Sequence, residues 1–349
     1  MHDRTAGRKP AHRPTGPCRL QRGGASGTFP SFPMDHTHLL GRSLLTLSDF
    51  PASDIRLLLD LARQAKSDRR AGRVQQRFRG RSLAMLYEKP STRTRCAFDT
   101  AFGEEGGHPV FLTGQEIHLG VKESLEDTAR VLGRMFDAIQ FRGFEQQTVE
   151  VLASYSGVPV YNGLTDSRHP TQVLADLLTL EEHHRTLAGL KLAYVGDCRN
   201  NIASSLMIGC ALMGLQFVAV GPDELAPPAD LMRQCRDYAA RSGGSVAGGA
   251  DPALVAGADA LYTDVWVSMG EEAKATERLR LLRPFQVDRA LLARTGNDAC
   301  LFMHDLPAVK GNEVTEEVFE GPASVVWDQA ENRKHTAKAL LLATLPLHP

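Results

Sequence analysis

Apolar residues recur with helical spacing over 54–67 (DIRLLLDLARQAKS), which predicts an amphipathic helix capped by Ser53 or Asp54. The spacing then changes. RSLAMLYEK is a short apolar run, the pattern of a strand buried on both faces. PSTRTRCAFDTAFGEEGG reads as a helix entered at Pro90 and Ser91 and left at Gly106-Gly107. HPVFL, AIQFRG and VPVYNGL predict three further strands. Helices over LEDTARVLGRMF and TVEVLASYSG alternate with them, and TGQEIHLGVKES is a polar loop. At His169 the pattern restarts with a long helix, HPTQVLADLLTLEEHH, that can bridge two domains. KLAYVGD, QFVAVG, ALYTDV and CLFMHD predict four more strands, with PADLMRQCRDYAARSGG and TEEVF as helical connections. SVVWDQAENRKHTAKALLLATL reads as a strand followed by a long C-terminal helix.

Alternation of this kind implies an α/β fold with parallel sheets covered by helices on both faces. The restart divides it into two open, doubly wound domains, residues 34–168 and 169–328, bridged by long helices across an interdomain cleft. Ligands are expected in that cleft, outside the carboxyl ends of the strands.

Composition narrows the function classes. A chain of 349 residues suits two domains. Lys and Arg (40) balance Asp and Glu (41), so net charge gives no case for a nucleic-acid partner. No apolar run approaches the ~18–20 residues of a membrane span. Six scattered cysteines without a CxxC pair argue against a disulfide scaffold or zinc ribbon and make a reducing, cytoplasmic compartment the default. Residues 1–33 are set apart by six basic residues, one acid, and many Gly and Pro, a composition of disorder. Transit segments are also Arg-rich and acid-poor, but Pro and Gly break the helix they need. The simpler expectation is that translation starts at Met34.

The chemistry concentrates at predicted strand ends. Ser91, Thr92, Arg93 and Thr94 fall at a helix N-terminus just after a strand. Free N–H groups, the helix dipole, hydroxyls and a guanidinium there suit a phosphate. The same segment also reads as a capped helix with solvated arginines. It is neither a P-loop nor a dinucleotide fingerprint, because the glycines of both are missing. His169 and Gln172 lie one turn apart at the start of the bridging helix and suit a small carbonyl or amide. Asp264 suits an ammonium, and the turn Ser268-Met269-Gly270 suits a carboxylate. His304-Asp305-Leu306-Pro307 ends another strand, and Leu306-Pro307 fixes an extended backbone.

KPSTRTR, ARVLGRMFDAIQFRG, NGLTDSRHPTQ, YTDVWVSMG, FMHDLPA and DQAENRKHT, in this order, resemble the ornithine carbamoyltransferases from about Met34 to the C-terminus. The resemblance implies the reaction of carbamoyl phosphate with L-ornithine to L-citrulline and phosphate, in arginine metabolism. It implies that Ser91, Thr92, Arg93 and Thr94 hold the phosphate. Arg142, His169 and Gln172 bind the carbamoyl group, with Arg142 and His169 at its oxygen. Leu306 contacts the carbamoyl amino group through its backbone, with Asp305 beside it. Arg333 returns to the same site from a C-terminal helix, 329–349, that completes the first, carbamoyl-phosphate-binding domain. Asn201, Asp264, Ser268 and Met269 hold ornithine in the second. His118 reaches the phosphate of a neighbouring subunit in a homotrimer or a multiple of trimers. No metal or organic cofactor is implied, and neither nucleic acid nor membrane is a partner.

One position departs from the family. The family reads His-Cys-Leu-Pro where this chain has His304-Asp305-Leu306-Pro307. A carboxylate near pKa 3.9 replaces a thiol near 8.5, so Asp305 is expected to be charged unless Asp264 is close enough to raise one of the two. Arg142, His169, Asp264 and Asp305 are therefore the expected catalytic residues. The substitution keeps two alternatives open: a different amine such as putrescine or an acylated ornithine, or a sensor that binds without turnover.

Overall fold

The apolar runs become parallel strands. The computed structural model describes residues 35–73, 75–114, 117, 122–267 and 275–346. Strands β1 (Ser82–Tyr87), β2 (His108–Thr113), β3 (Ala138–Arg142) and β4 (Val160–Leu164) form one sheet in the order β2-β1-β3-β4. Strands β5 (Lys191–Val195), β6 (Gln216–Val220), β7 (Ser245–Gly249), β8 (Ala260–Thr263) and β9 (Leu301–His304) form the other, β7-β6-β5-β8-β9. All pairings in both sheets are parallel. This is the doubly wound arrangement expected from the alternation. The strand order reverses between β1 and β3 and between β5 and β8, where connections diverge and leave a crevice at the carboxyl ends.

The helices are α1 (Ala52–Arg70), α2 (Thr92–Gly103), α3 (Leu125–Met135), α4 (Gln146–Ser156), α5 (Pro170–His184), α6 (Asn201–Leu212), α7 (Ala229–Ser242), α8 (Ala275–Leu282), α9 (Arg289–Ala293), α10 (Glu316–Phe319) and α11 (Val326–Thr344). Helix α5 is buried on every side from Pro170 to Leu180, because it lies between the sheets rather than on the outside of one. Helix α11 packs on α1, α2 and α5 and touches β9, so it too joins both halves. One hydrophobic cluster runs from Leu83 and Met85 through Leu174, Leu178 and Leu340 to Tyr194 and Met303. A buried polar tie reinforces it: Lys66 Nζ reaches Glu182 at 2.8 Å and Asn332 at 2.7 Å, pinning α1, α5 and α11 together.

Three details differ from the pattern-based expectation. Helix α1 begins at Ala52 with Pro51 in the cap position, not Ser53 or Asp54, because Pro51 already supplies extended backbone (φ −64°, ψ 161°). The strand expected over SVV is absent: Ser324 makes only an isolated bridge to Phe302, and Val326 opens the last helix. Strand β7 was not foreseen, because SVAGG has neither alternation nor bulk. No helix among the described residues is long and apolar enough to cross a membrane.

Candidate active site

Serine 91 shapes the first part of the site. Its extended backbone (φ −161°, ψ 122°) stops the helix, and its Oγ accepts the Thr94 N–H at 3.1 Å. The N–H groups of Thr92 and Arg93 are left without helical acceptors, aimed with the helix dipole at the cleft. Thr94 is buried, and its Oγ1 accepts from Arg142 Nη1 (3.4 Å) and from Arg333 Nη2. The hydroxyl proton of Thr94 is thereby free to be donated to a ligand.

Arg142 ends β3 and Arg333 lies in the second turn of α11; they are 6% and 5% exposed. Burial and the Arg333 charge push Arg142 down to about 10. Burial and Arg93 likewise lower Arg333, and burial lowers Arg93. Among the described residues no carboxylate hydrogen-bonds any of the three. Three crowded, desolvated guanidiniums at a helix N-terminus, none hydrogen-bonded to a described carboxylate, make an anion site.

His169 caps α5 from the adjoining side. Its backbone N–H donates to Ser205 Oγ at 2.8 Å, and its ring is fully buried with Nδ1 3.5 Å from Thr171 Oγ1. Burial and the charges of Arg333, Arg142 and Arg93 hold its pKa well below the usual histidine value, so the ring is neutral and donates a single proton. Gln172 Nε2 is committed to Asp176 Oδ1 (2.8 Å), which leaves Gln172 Oε1 as an unpartnered acceptor. Burial lifts Asp176 to about 7, and Gln329 Nε2 bonds the same carboxyl at 2.7 Å. Asp176 thus fixes the orientation of Gln172, and its i, i+4 spacing from Gln172 was visible in the sequence.

The second sheet brings acids to face these cations. Asp264, at the end of β8, accepts from its neighbour Val265 N–H (2.7 Å) and from Asn200 Nδ2 (3.1 Å). Asp305 follows β9, and Asp264, His304 and Asp305 place polar atoms within 4.8 Å of one another. Burial and Asp305 push Asp264 well above the usual carboxyl range. Burial opposes ionisation of Asp305 too, but the His304 ring beside it (Nδ1 3.5 Å from Oδ1), assisted by Arg333, holds it low. The two shifts run apart, Asp264 up and Asp305 down, which is the outcome allowed for if Asp264 lay close enough to raise one of the two. Burial pushes His304 toward the neutral form, yet bonds to Asp305 and Glu313 lift it to about 9. Leu306 N–H donates to His304 Nδ1 at 2.8 Å, so the first ring proton sits on Nε2, facing Glu313 at 3.4 Å. Leu306 itself sits at φ 65° before a cis peptide bond to Pro307, so the extended backbone expected at Leu306 is replaced by a left-handed turn.

Asn201 donates to the Thr165 carbonyl at 2.7 Å across the cleft, while its neighbour Asn200 holds Asp264. Sequence reasoning chose Asn201 and missed Asn200, although an Asn preceding an apolar helix is a cap signal. It also missed Arg278, whose Nε donates to the Trp266 carbonyl (2.7 Å) and whose Nη2 pairs with buried Asp197. His118, Ser268 and Met269 lie outside the described residues.

Two family models divide the chain. The carbamoyl-P binding domain of the aspartate/ornithine carbamoyltransferases matches residues 42–182, and their Asp/Orn binding domain matches residues 188–344. The chain belongs to the aspartate/ornithine carbamoyltransferase family. The ornithine carbamoyltransferase of Caldanaerobacter subterraneus subsp. tengcongensis is 62% identical over 88% of this chain and 99% of its own length. That of Thermotoga maritima is 60% identical over 88% and 99%. A catabolic ornithine carbamoyltransferase of Clostridium perfringens is 49% identical over 88% and 98%. Among solved structures, the ornithine carbamoyltransferase from Pyrococcus furiosus superposes with a TM-score of 0.85 at 45% identity, covering 88% of this chain and 98% of its own. The carbamoyltransferase family members are thus matched over almost their whole length.

Proposed function

We propose that this enzyme transfers the carbamoyl group of carbamoyl phosphate to the side-chain amine of L-ornithine, giving L-citrulline and phosphate. The observation that carries the reading is the trio Arg93, Arg142 and Arg333, unpaired with any described carboxylate, at the capped N-terminus of α2 beside neutral His169 and Gln172. Ser91, Thr92, Arg93, Thr94 and Arg333 hold the phosphate. Arg142 and His169 meet the carbamoyl oxygen, the Gln172 Oε1 acceptor and the Leu306 carbonyl take its amino group, and Asp305 stands close by. Asn201, Asp264, Ser268 and Met269 hold the amino acid.

The reaction needs no covalent enzyme intermediate. The neutral amine attacks the carbamoyl carbon, a C–N bond forms, the C–O bond to phosphate breaks, and the proton shed by the amine leaves with the phosphate. Negative charge grows on the carbonyl oxygen, where Arg142 and the His169 N–H are preset to receive it. Phosphate leaves with its charge already matched by the arginines and Thr94. Holding both substrates face to face in the closed cleft supplies much of the remaining acceleration. The Asp264–Asp305 pair carries one net negative charge, enough to draw in the ammonium that must then lose its proton.

The same reading makes residues 34–168, with the C-terminal segment from 329 that α11 carries, the carbamoyl-phosphate domain and 169–328 the ornithine domain. It makes the enzyme a cytoplasmic homotrimer, or a multiple of trimers, in which His118 serves a neighbouring site. These rest on the family resemblance. Asp305 in place of the family cysteine favours one second reading, a different acceptor amine. A citrulline assay on purified Met34–Pro349 with ornithine, putrescine, lysine and N-acetylornithine separates the two. Preference for ornithine supports the proposal, activity with another amine alone replaces it, and ligand binding without turnover makes the chain a sensor.

A further inference from the structure

Gln140 lies on β3 two residues before Arg142, so the two side chains leave the same face of the strand. Its carboxamide is fully buried, and neither Oε1 nor Nε2 has a hydrogen-bond partner. Such a group is costly in an interior, and an apolar side chain of the same length fills the space without that cost. Arg142 Nε, also buried, is an unpartnered donor. The other contacts of Arg142 are long: 3.4 Å to Thr94 Oγ1 and 3.5 Å to the Gly163 carbonyl. An orphaned acceptor and an orphaned donor thus sit on adjacent same-face positions, beneath a guanidinium held only by these two long contacts.

The neighbouring strand is built around this amide. The β3–β4 register slips between Phe141 and Arg142, pairing Asn162 with Phe141 and Leu164 with Arg142 and leaving Gly163 bulged. A Cβ on Gly163 would lie 2.2 Å from Gln140 Nε2 and 3.0 Å from the Thr94 methyl. Glycine at 163 is therefore what admits a carboxamide at 140 directly under Thr94 and Arg142.

We infer that Gln140 is the positioning residue for Arg142: its carboxamide oxygen takes the Arg142 Nε–H when the guanidinium turns onto the carbonyl oxygen of the substrate. The inference rests on the carbamoyl-transfer reading above. Gln140 does not touch the substrate. It fixes the plane of the group that does, as outer-layer partners fix ligands elsewhere.

Two variants test it. Gln140→Met keeps length and removes the acceptor, and Gln140→Glu keeps an acceptor oxygen. Citrulline formation is measured with each substrate varied, alongside thermal unfolding of the ligand-free protein. Gln140→Met is expected to lower kcat roughly 10-fold or more, with the KM for ornithine unchanged and the unfolding temperature not reduced. Gln140→Glu is expected to recover most of the lost rate. Unchanged kinetics in Gln140→Met overturn the inference. So does a fall in its unfolding temperature, which would reveal a structural bond, and so does a Gln140→Glu variant as slow as the methionine one. A parent chain that binds carbamoyl phosphate but forms no citrulline with any amine overturns the functional reading and this inference together.

Discussion

Arg333 donates through Nη2 to Thr94 Oγ1, joining residues 239 positions apart in the chain. The contact puts a third cation into a site where Arg93 and Arg142 already repel it. Arg333→Met is expected to lower kcat/KM for carbamoyl phosphate by roughly 10²–10³-fold, the usual effect of losing one charge-stabilising donor. The ligand-free protein should unfold at the same temperature or slightly higher, because a buried like charge is gone. Steady-state kinetics with thermal unfolding check both halves, and a variant that loses stability as well as activity contradicts the site as described.

On the proposed reading, the carboxyl pair at Asp264 and Asp305 sets the pH at which the acceptor amine is ready. An anionic Asp305 stabilises the ammonium and raises its pKa, so the reactive neutral amine appears only at higher pH. Replacing the carboxylate by a neutral thiol removes that bias. Asp305→Cys should move the rising limb of the rate–pH profile toward lower pH, with some loss of ornithine affinity. Superimposable profiles for the two proteins would show that Asp305 does not face the amine.

Arg278 fastens the backbone after Asp264: it binds the Trp266 carbonyl and pairs with Asp197 at the end of β5. Arg278→Met should raise the KM for ornithine while sparing carbamoyl phosphate binding, since nothing in the anion site touches it. Stability should fall by about 1–3 kcal/mol, because buried Asp197 loses its closest guanidinium and keeps only the Arg199 N–H (3.0 Å) and the more exposed Arg199 side chain (3.5 Å). Adding Asp197→Asn should restore much of the stability but not the ornithine KM. A rise in the carbamoyl phosphate KM instead would place Arg278 elsewhere in the mechanism.

Acid should loosen the seat of the last helix first. Glu104 and Glu105 end the segment that follows α2 and bind Lys334 and Lys338 of α11. Burial opposes the charge of both, yet Lys334 and Arg77 respectively lead the contacts that hold them near 2, down from 4.5. A lowered native pKa contributes stability above the unfolded value, and that stability drains away as pH falls from about 4.5 toward 2. Glu105→Gln should therefore flatten the stability–pH curve in that window and cost roughly 3 kcal/mol at neutral pH. Chemical denaturation at several pH values measures it, and parallel curves for parent and variant would refute it.

The strands and long helices were legible because buried parallel strands demand unbroken apolar runs and bridging helices demand apolar residues on all sides, as in Val173–Leu180. Strand β7 was not, because SVAGG gains its structure from pairing with β6 rather than from its own residues. In the site, Ser91 and His169 could be named from local signals, since each stands where a helix must start. Gln140 and Arg278 could not, and the cap signal at Asn200 does not report that its side-chain amide reaches Asp264. What matters for each lies across the fold. No local pattern reports that Gly163 is bulged, or that two carboxyls from separate strands will divide one proton.

Helix α11 has a consequence for the order in which the protein becomes competent. Synthesis delivers Ser91 to Thr94 early and Arg142 soon after, but Arg333 arrives only with the final helix, which also packs against α1, α2 and α5. A nascent chain still short of that helix carries two of the three anion-binding cations and an uncovered apolar groove. It cannot hold carbamoyl phosphate as the finished protein does. The anion site is in this sense complete only once α11 has packed against α2 and brought Arg333 to Thr94.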